Sequence, residues 1–215
     1  MLSTRSTLTV TNKTKQEAID ELLARTTHDA DFYVLLVGAI FIAAGAIFTD
    51  SIPALIASMI IAPLATPILT LGLGLVARSG ALMWRALGLL GVACLITVGL
   101  ALVLTILVGN DRVVNKYISF SSNHFIAIMV AATSGAIAAY GMVKPKVTPA
   151  ITGVAIAVSL MPPLVATGVG LAPGGQTTAN GAFLLFLLNV ASILVASACV
   201  FGIFGMGKAY RAHTN

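Results

Sequence analysis

The sequence predicts an all-α membrane fold: six transmembrane helices forming two inverted three-helix repeats, with helices 2 and 5 broken or kinked at prolines. Three observations predict it. The chain is 58% hydrophobic and 9% charged, with mean hydropathy +1.02, whereas soluble domains carry about 25% charged residues. Several runs exceed the roughly 18 apolar residues that mark a membrane-spanning helix. Finally, the uncharged stretch Pro53 to Leu75 returns without a gap, 96 positions on, as Pro149 to Leu171.

In that frame Pro53 falls on Pro149, Ile60 on Ile156, Leu64 on Leu160 and Pro67 on Pro163, with Gly72 on Gly168 and Gly74 on Gly170. Apolar sequence matches itself on Leu, Ala and Ile by chance; two prolines and a Gly-x-Gly-Leu in one frame require a duplication. The similarity extends to Leu89-Leu-Gly-Val-Ala-Cys against Leu187-Leu-Asn-Val-Ala-Ser, and to Phe32 against Phe125. The unit is therefore three helices with the proline-bearing one in the middle. Three is odd, so the second copy enters the bilayer from the opposite side, a pattern found in many secondary transporters.

Residues 1–30 are polar and read as a cytoplasmic or interfacial segment. Thr14 and Glu17 have capping-box spacing, and Ala18, Ile19, Leu22 and Leu23 give a short apolar helical face. No signal-peptide pattern is present. Repeat 1 occupies residues 31–108, with helix 1 from Phe32 to Phe48, helix 2 from Pro53 to Val76 and helix 3 from about Met83 to Val108. Residues 109–123 form an external loop. Repeat 2 occupies residues 124–206, with helix 4 from His124 to Val143, helix 5 from Pro149 to Leu171, a loop at Pro173-Gly-Gly-Gln-Thr-Thr, and helix 6 from about Ala182 to Met206. Residues 207–215 are a basic cytoplasmic tail.

Charge placement fixes the orientation. With the N-terminus inside, ten Lys and Arg residues lie on the inner segments, and only Arg112 and Lys116 lie outside. This positive-inside bias puts both termini in the cytoplasm. It also accounts for the net charge of +5 without a nucleic-acid partner. Cys94 and Cys199 sit inside apolar runs with no metal-ligand spacing and read as packing residues.

Arg85, near the start of helix 3, is the single Asp, Glu, Lys or Arg within a predicted span, and no carboxylate lies in one, which argues against proton relays. Catalysis, metal binding and a cofactor are not expected: no nucleophile-base pair is recognisable, and His28, His124 and His213 are far apart. The backbone breaks remain. Pro67 lacks an N–H and clashes with the carbonyl four residues back, so Thr66 is expected to cap a new half-helix beginning at Pro67. Met161-Pro162-Pro163 is expected to do the same in helix 5. Exposed backbone groups near the bilayer middle cost several kcal/mol each in lipid, so they must meet protein, water or a ligand. The simpler alternative is a kink in a continuous helix. Thr66, Thr70, Ser159 and Thr167 either line a site or return their hydroxyls to their own helices. Asn189 either binds a ligand or holds two helices together.

The stretches Asp31-Phe-Tyr-Val-Leu-Leu, Ile60-Ile-Ala-Pro-Leu-Ala-Thr-Pro-Ile-Leu, Gly153-Val-Ala-Ile-Ala-Val, Met161-Pro-Pro-Leu and Phe186-Leu-Leu-Asn-Val resemble the domain of unknown function 389 family of prokaryotic membrane proteins, from about Leu22 to Phe204. The family's usual Gly-Ala-Met-Leu-Ile-Ala-Pro-Leu-Met reads here as Ala57-Ser-Met-Ile-Ile-Ala-Pro-Leu-Ala. The resemblance implies an inner-membrane location and marks the proline motifs as family features. It implies no substrate and no catalytic residue.

The expected function is that of a transporter or channel for a small neutral or anionic solute or an ion. Its substrate-binding candidates are Pro63, Thr66, Pro67, Thr70, Ser159, Pro162, Pro163, Thr167 and Asn189, between the broken helices 2 and 5. The alternative is a non-transporting oligomeric scaffold that binds lipid or a partner protein. On either reading the partners are the bilayer and, given many small residues on the helices, further copies of the chain.

Overall fold

A computed structural model describes residues 10–109, 124–144, 149–173 and 175–214. The predicted external loop from residue 110 on, residues 145–148, Gly174, Asn215 and the first nine residues lie outside the described residues. Among the described residues the chain is helical, in the order α1 (Asn12–Arg25), α2 (Ala30–Thr49), α3 (Ile52–Ile61), α4 (Ala65–Ala77), α5 (Gly80–Val108), α6 (His124–Val143), α7 (Pro149–Gly170), α8 (Gln176–Ile203) and α9 (Met206–Thr214).

Four stretches are long and apolar enough to cross a membrane: Ala30–Thr49, Gly80–Val108, His124–Val143 and Thr178–Ile203. The bent pair α3–α4 makes a fifth if it is one span. The chain is a multi-pass membrane protein. Its outer surface has the matching character, with large apolar side chains such as Trp84, Leu95, Leu107 and Ile203 pointing away from the bundle.

Small-residue turns join the first helices. Asp50 adopts a left-handed conformation (φ 58°) and ends α2, and Ser51 then caps α3 by accepting from the Ala54 N–H. Arg78 (φ 55°) and Ser79 repeat the device between α4 and α5, where Ser79 accepts from Leu82. A left-handed conformation costs a side-chain-bearing residue about 1–2 kcal/mol. Arg78→Gly is therefore expected to stabilise the α4–α5 turn by up to about 1 kcal/mol, read as a higher midpoint in detergent unfolding.

The repeated glycines have repeated packing roles. A Cβ on Gly72 in α4 would lie 2.5 Å from Ser197 Oγ in α8, and one on its counterpart Gly168 in α7 would lie 2.5 Å from the Val98 carbonyl oxygen in α5. The second glycine of each pair meets the start of the next helix: Gly74 faces Met83 of α5, and Gly170 faces Ala179 of α8. So α4 packs on α8 and α7 packs on α5. The third helix of each half thus rests on the middle helix of the other. Leu64, Ile68, Leu160 and Leu164 are fully buried in the core.

The terminal helices form a layer across one end of the bundle. Ala18, Ile19 and Leu22 of α1 are buried, as the apolar face predicted. The helix starts earlier than the capping-box reading: Thr11 is its N-cap, without a side-chain cap bond, and Thr14 lies inside the first turns. Residues 206–214 are not an irregular tail but helix α9, with Met206 and Gly207 buried. Gly207 lies so close that a Cβ would sit 2.4 Å from the Val76 carbonyl oxygen at the end of α4. His213 Nε2 lies 3.0 Å from Asp20 Oδ1 in α1, so both ends of the described chain share one face. The loop predicted after Pro173 is shorter than expected, since α8 already begins at Gln176 behind Gly175.

Candidate functional site

The two proline segments take different forms. In the first half α3 ends at Ile61, and Ala62 is extended (φ −62°, ψ 124°), the conformation forced on a residue before proline. The chain turns through Pro63 and Leu64 and restarts as α4 at an angle of 50° to α3. The break is therefore at Pro63, not Pro67. Leu64, not Thr66, is the N-cap of α4, and it makes no side-chain cap bond. Pro67 is the third residue of α4, where a backbone N–H would have no helical partner anyway, so it costs the helix nothing.

In the second half the predicted break does not occur: α7 runs unbroken through Pro162 and Pro163. These prolines deprive the Val158 and Ser159 carbonyls of their usual donors four residues on. A side chain from another helix supplies one replacement, since Asn189 Nδ2 of α8 donates to the Ser159 carbonyl at 2.7 Å. The repeat counterpart of Asn189, 98 positions earlier, is Gly91, which has no side chain and has open space beside it. The asymmetry between the halves follows the proline positions: Pro63, where the first half turns, corresponds to Ser159 at the 96-residue offset, so the second half has no proline at that place. In α7 the carbonyl orphaned by Pro163 is met by Asn189.

Each proline segment lines a cleft. One, of about 420 Å³, lies between the α1–α2 corner and the α3–α4 break, where Pro63 and Thr66 meet Arg25, Asp29, Asp31 and Phe32. The other, of about 220 Å³, lies between α6, α7 and α8, where Ser159, Pro162, Pro163 and Asn189 meet Ala127, Val130 and Leu185. At the 96-residue offset Ser159 corresponds to Pro63 and Pro162 to Thr66, so the two clefts share two repeat-equivalent lining positions.

The sequence placed nine residues around one site, and the structure distributes them. Pro63 and Thr66 line the first cleft; Ser159, Pro162, Pro163 and Asn189 line the second. Pro67 is buried inside α4. Thr167 Oγ1 donates to its own helix at the Pro163 carbonyl, 2.7 Å away. Thr70 Oγ1 is buried 2.6 Å from Thr26 Oγ1, and Thr26 in turn donates to the Leu22 carbonyl at 2.7 Å. That proton is committed to Leu22, so Thr70 is the donor in the pair.

Thr70 thus fastens α1 to α4. Thr70→Val is expected to cost about 1 kcal/mol and to speed proteolysis within α1 several-fold, while the detergent-resistant bundle stays intact. Sequence reasoning missed Thr26 because its partner is 44 residues away. It also missed Asp29 and Asp31 as cleft residues; their place beside a helix start was the available signal. Among the described residues no three His, Cys, Asp or Glu side chains gather into a group able to hold a metal ion.

A family model described as Domain of unknown function (DUF389) matches residues 59–195, a span that includes both proline segments and Asn189. The chain is also similar to an uncharacterized protein of Methanocaldococcus jannaschii, with 26% identity over 182 residues that make up 83% of this chain and 55% of that protein. The chain therefore spans little more than half the length of that relative. No solved structure matches it.

Proposed function

The chain belongs to the Domain of unknown function (DUF389) family, and from that premise we propose that it moves a small neutral or anionic solute, or an ion, across the prokaryotic inner membrane. In this reading six crossings form two inverted three-helix halves, and both termini are cytoplasmic. The observation that carries it is the pair of clefts at repeat-equivalent proline segments. One cleft lies by the start of α2 and the other by the start of α6. Inverted halves put those helix starts on opposite sides of the bilayer, so the clefts become two half-paths. The reciprocal glycine packing and the shared face of the two termini support this topology.

A second reading, a non-transporting oligomeric scaffold that binds lipid or a partner protein, is favoured by one observation. Thr70, Thr167 and the Asn189 amide nitrogen are all engaged in holding the protein together. Either reading accommodates self-association, since Gly88 and Gly99 of α5 have open space around them. Uptake of radiolabelled solutes and ions into proteoliposomes decides between the two. Flux above empty vesicles supports transport; none, with helices that stay fully folded, supports the scaffold. Enzymatic activity is not part of either proposal.

A further inference from the structure

We propose that the α6–α7–α8 cleft binds a hydroxyl group of a neutral molecule, through Ser159 Oγ and Asn189 Oδ1. This deepens the transport reading and rests on it for the role of the site, though not for its chemistry. Both side chains are more than nine-tenths buried, with Ser159 8% and Asn189 4% exposed. Yet among the described residues Ser159 Oγ and Asn189 Oδ1 have no hydrogen-bond partner, and both residues line the cleft.

Ser159 departs from the habit of its neighbours. Thr97, Thr105, Thr133, Ser134, Thr167 and Ser192 each donate to a carbonyl four residues back in their own helix, the usual outcome in lipid. The Asn189 amide has a fixed orientation, because only its NH₂ group can donate to the Ser159 carbonyl. Its oxygen is therefore turned toward a place where the protein supplies no donor. A buried polar group left this way costs about 1–3 kcal/mol.

The pair specifies a ligand group. Asn189 Oδ1 accepts only, while the Ser159 hydroxyl donates or accepts. A ligand hydroxyl complements both by donating to the amide oxygen and accepting from the serine. An anion offers acceptors alone and meets no charged residue in this lining. A bare cation needs on the order of six oxygens, and the two side chains supply two. The cleft, about 220 Å³, has room for roughly seven waters at ~30 Å³ each, enough for a small polyol or the glycerol end of a lipid headgroup.

The test uses full-length protein in proteoliposomes and radiolabelled glycerol, with wild type compared with Ser159→Ala. Ser159 Oγ makes no hydrogen bond among the described residues, so the variant is expected to match or exceed wild-type thermal stability. Its half-saturating glycerol concentration is expected to rise about two- to ten-fold, the loss of one neutral hydrogen bond. If urea or chloride crosses but glycerol moves no faster than through empty vesicles, the hydroxyl assignment falls and transport stands. If nothing crosses, equilibrium dialysis of glycerol against detergent-purified protein separates the two proposals: binding weakened by Ser159→Ala keeps the site while transport falls. Equal binding by both proteins, or none, overturns the site and leaves an ordered water as its occupant. A lipid source shows in native mass spectrometry as phosphatidylglycerol retained by wild type and lost by Ser159→Ala, with free glycerol unable to compete.

Discussion

Gly168→Leu is expected to prevent stable folding, and Gly168→Ala to cost about 3 kcal/mol, read as loss of the monodisperse peak in size-exclusion chromatography and a lower midpoint in SDS-induced unfolding. A Cβ at this position lies 2.5 Å from the Val98 carbonyl oxygen, 2.7 Å from Ala101 Cβ and 3.1 Å from Val98 Cα. Two of these three are backbone atoms of α5 and cannot rotate away, so the helices must part. Close approach of backbones through glycine is a main source of helix association in lipid, where the hydrophobic effect gives no drive. Two controls separate this from generic helix damage. Gly99→Ala in α5 meets nothing within 4 Å and is expected to be neutral or slightly stabilising, since alanine favours the helix. Gly72→Ala meets the Ser197 hydroxyl first, at 2.5 Å, so Ser197→Ala should relieve part of its cost; no side-chain change can fully rescue Gly168→Ala.

Asn189→Leu is expected to cost about 1–2 kcal/mol, because the Ser159 carbonyl is then left in the interior without a donor. In a Pro163→Ala background the same change should cost under about 0.5 kcal/mol. Alanine restores the N–H that proline lacks, and the helix satisfies its own carbonyl. The double-mutant cycle thus predicts a coupling of about 1 kcal/mol between side chains on different helices. Additive effects of the two changes would show that the 2.7 Å bond contributes nothing to stability.

The membrane character was legible because it is a statement about local composition. The stop at Ala62 was also open to reading, since a residue before proline avoids helical geometry; weight placed on Pro67 as the break displaced it by four positions. Pro67 shows why proline spacing alone misleads: in the first turn of a helix a missing N–H has no consequence. The continuity of α7 was not legible. One of the carbonyls orphaned there meets Asn189, 30 residues away, and sequence gives the donor without its address. Helix α9 was hidden by polarity, although Met206, Ala209 and Tyr210 had the spacing of a helical face. Of the candidate site, the residue types were legible and their division between two clefts was not, because that division follows from the bend at Pro63 and the repair at Pro163.

The crossed seating of α5 on α7 and α8 on α4 means that neither half owns a finished interior. A nick anywhere between Val108 and His124 leaves two fragments clasped like interlocked hands, and gentle detergent should not pull them apart. Either fragment made alone would present its bare glycine seam to lipid and seek another copy to close it.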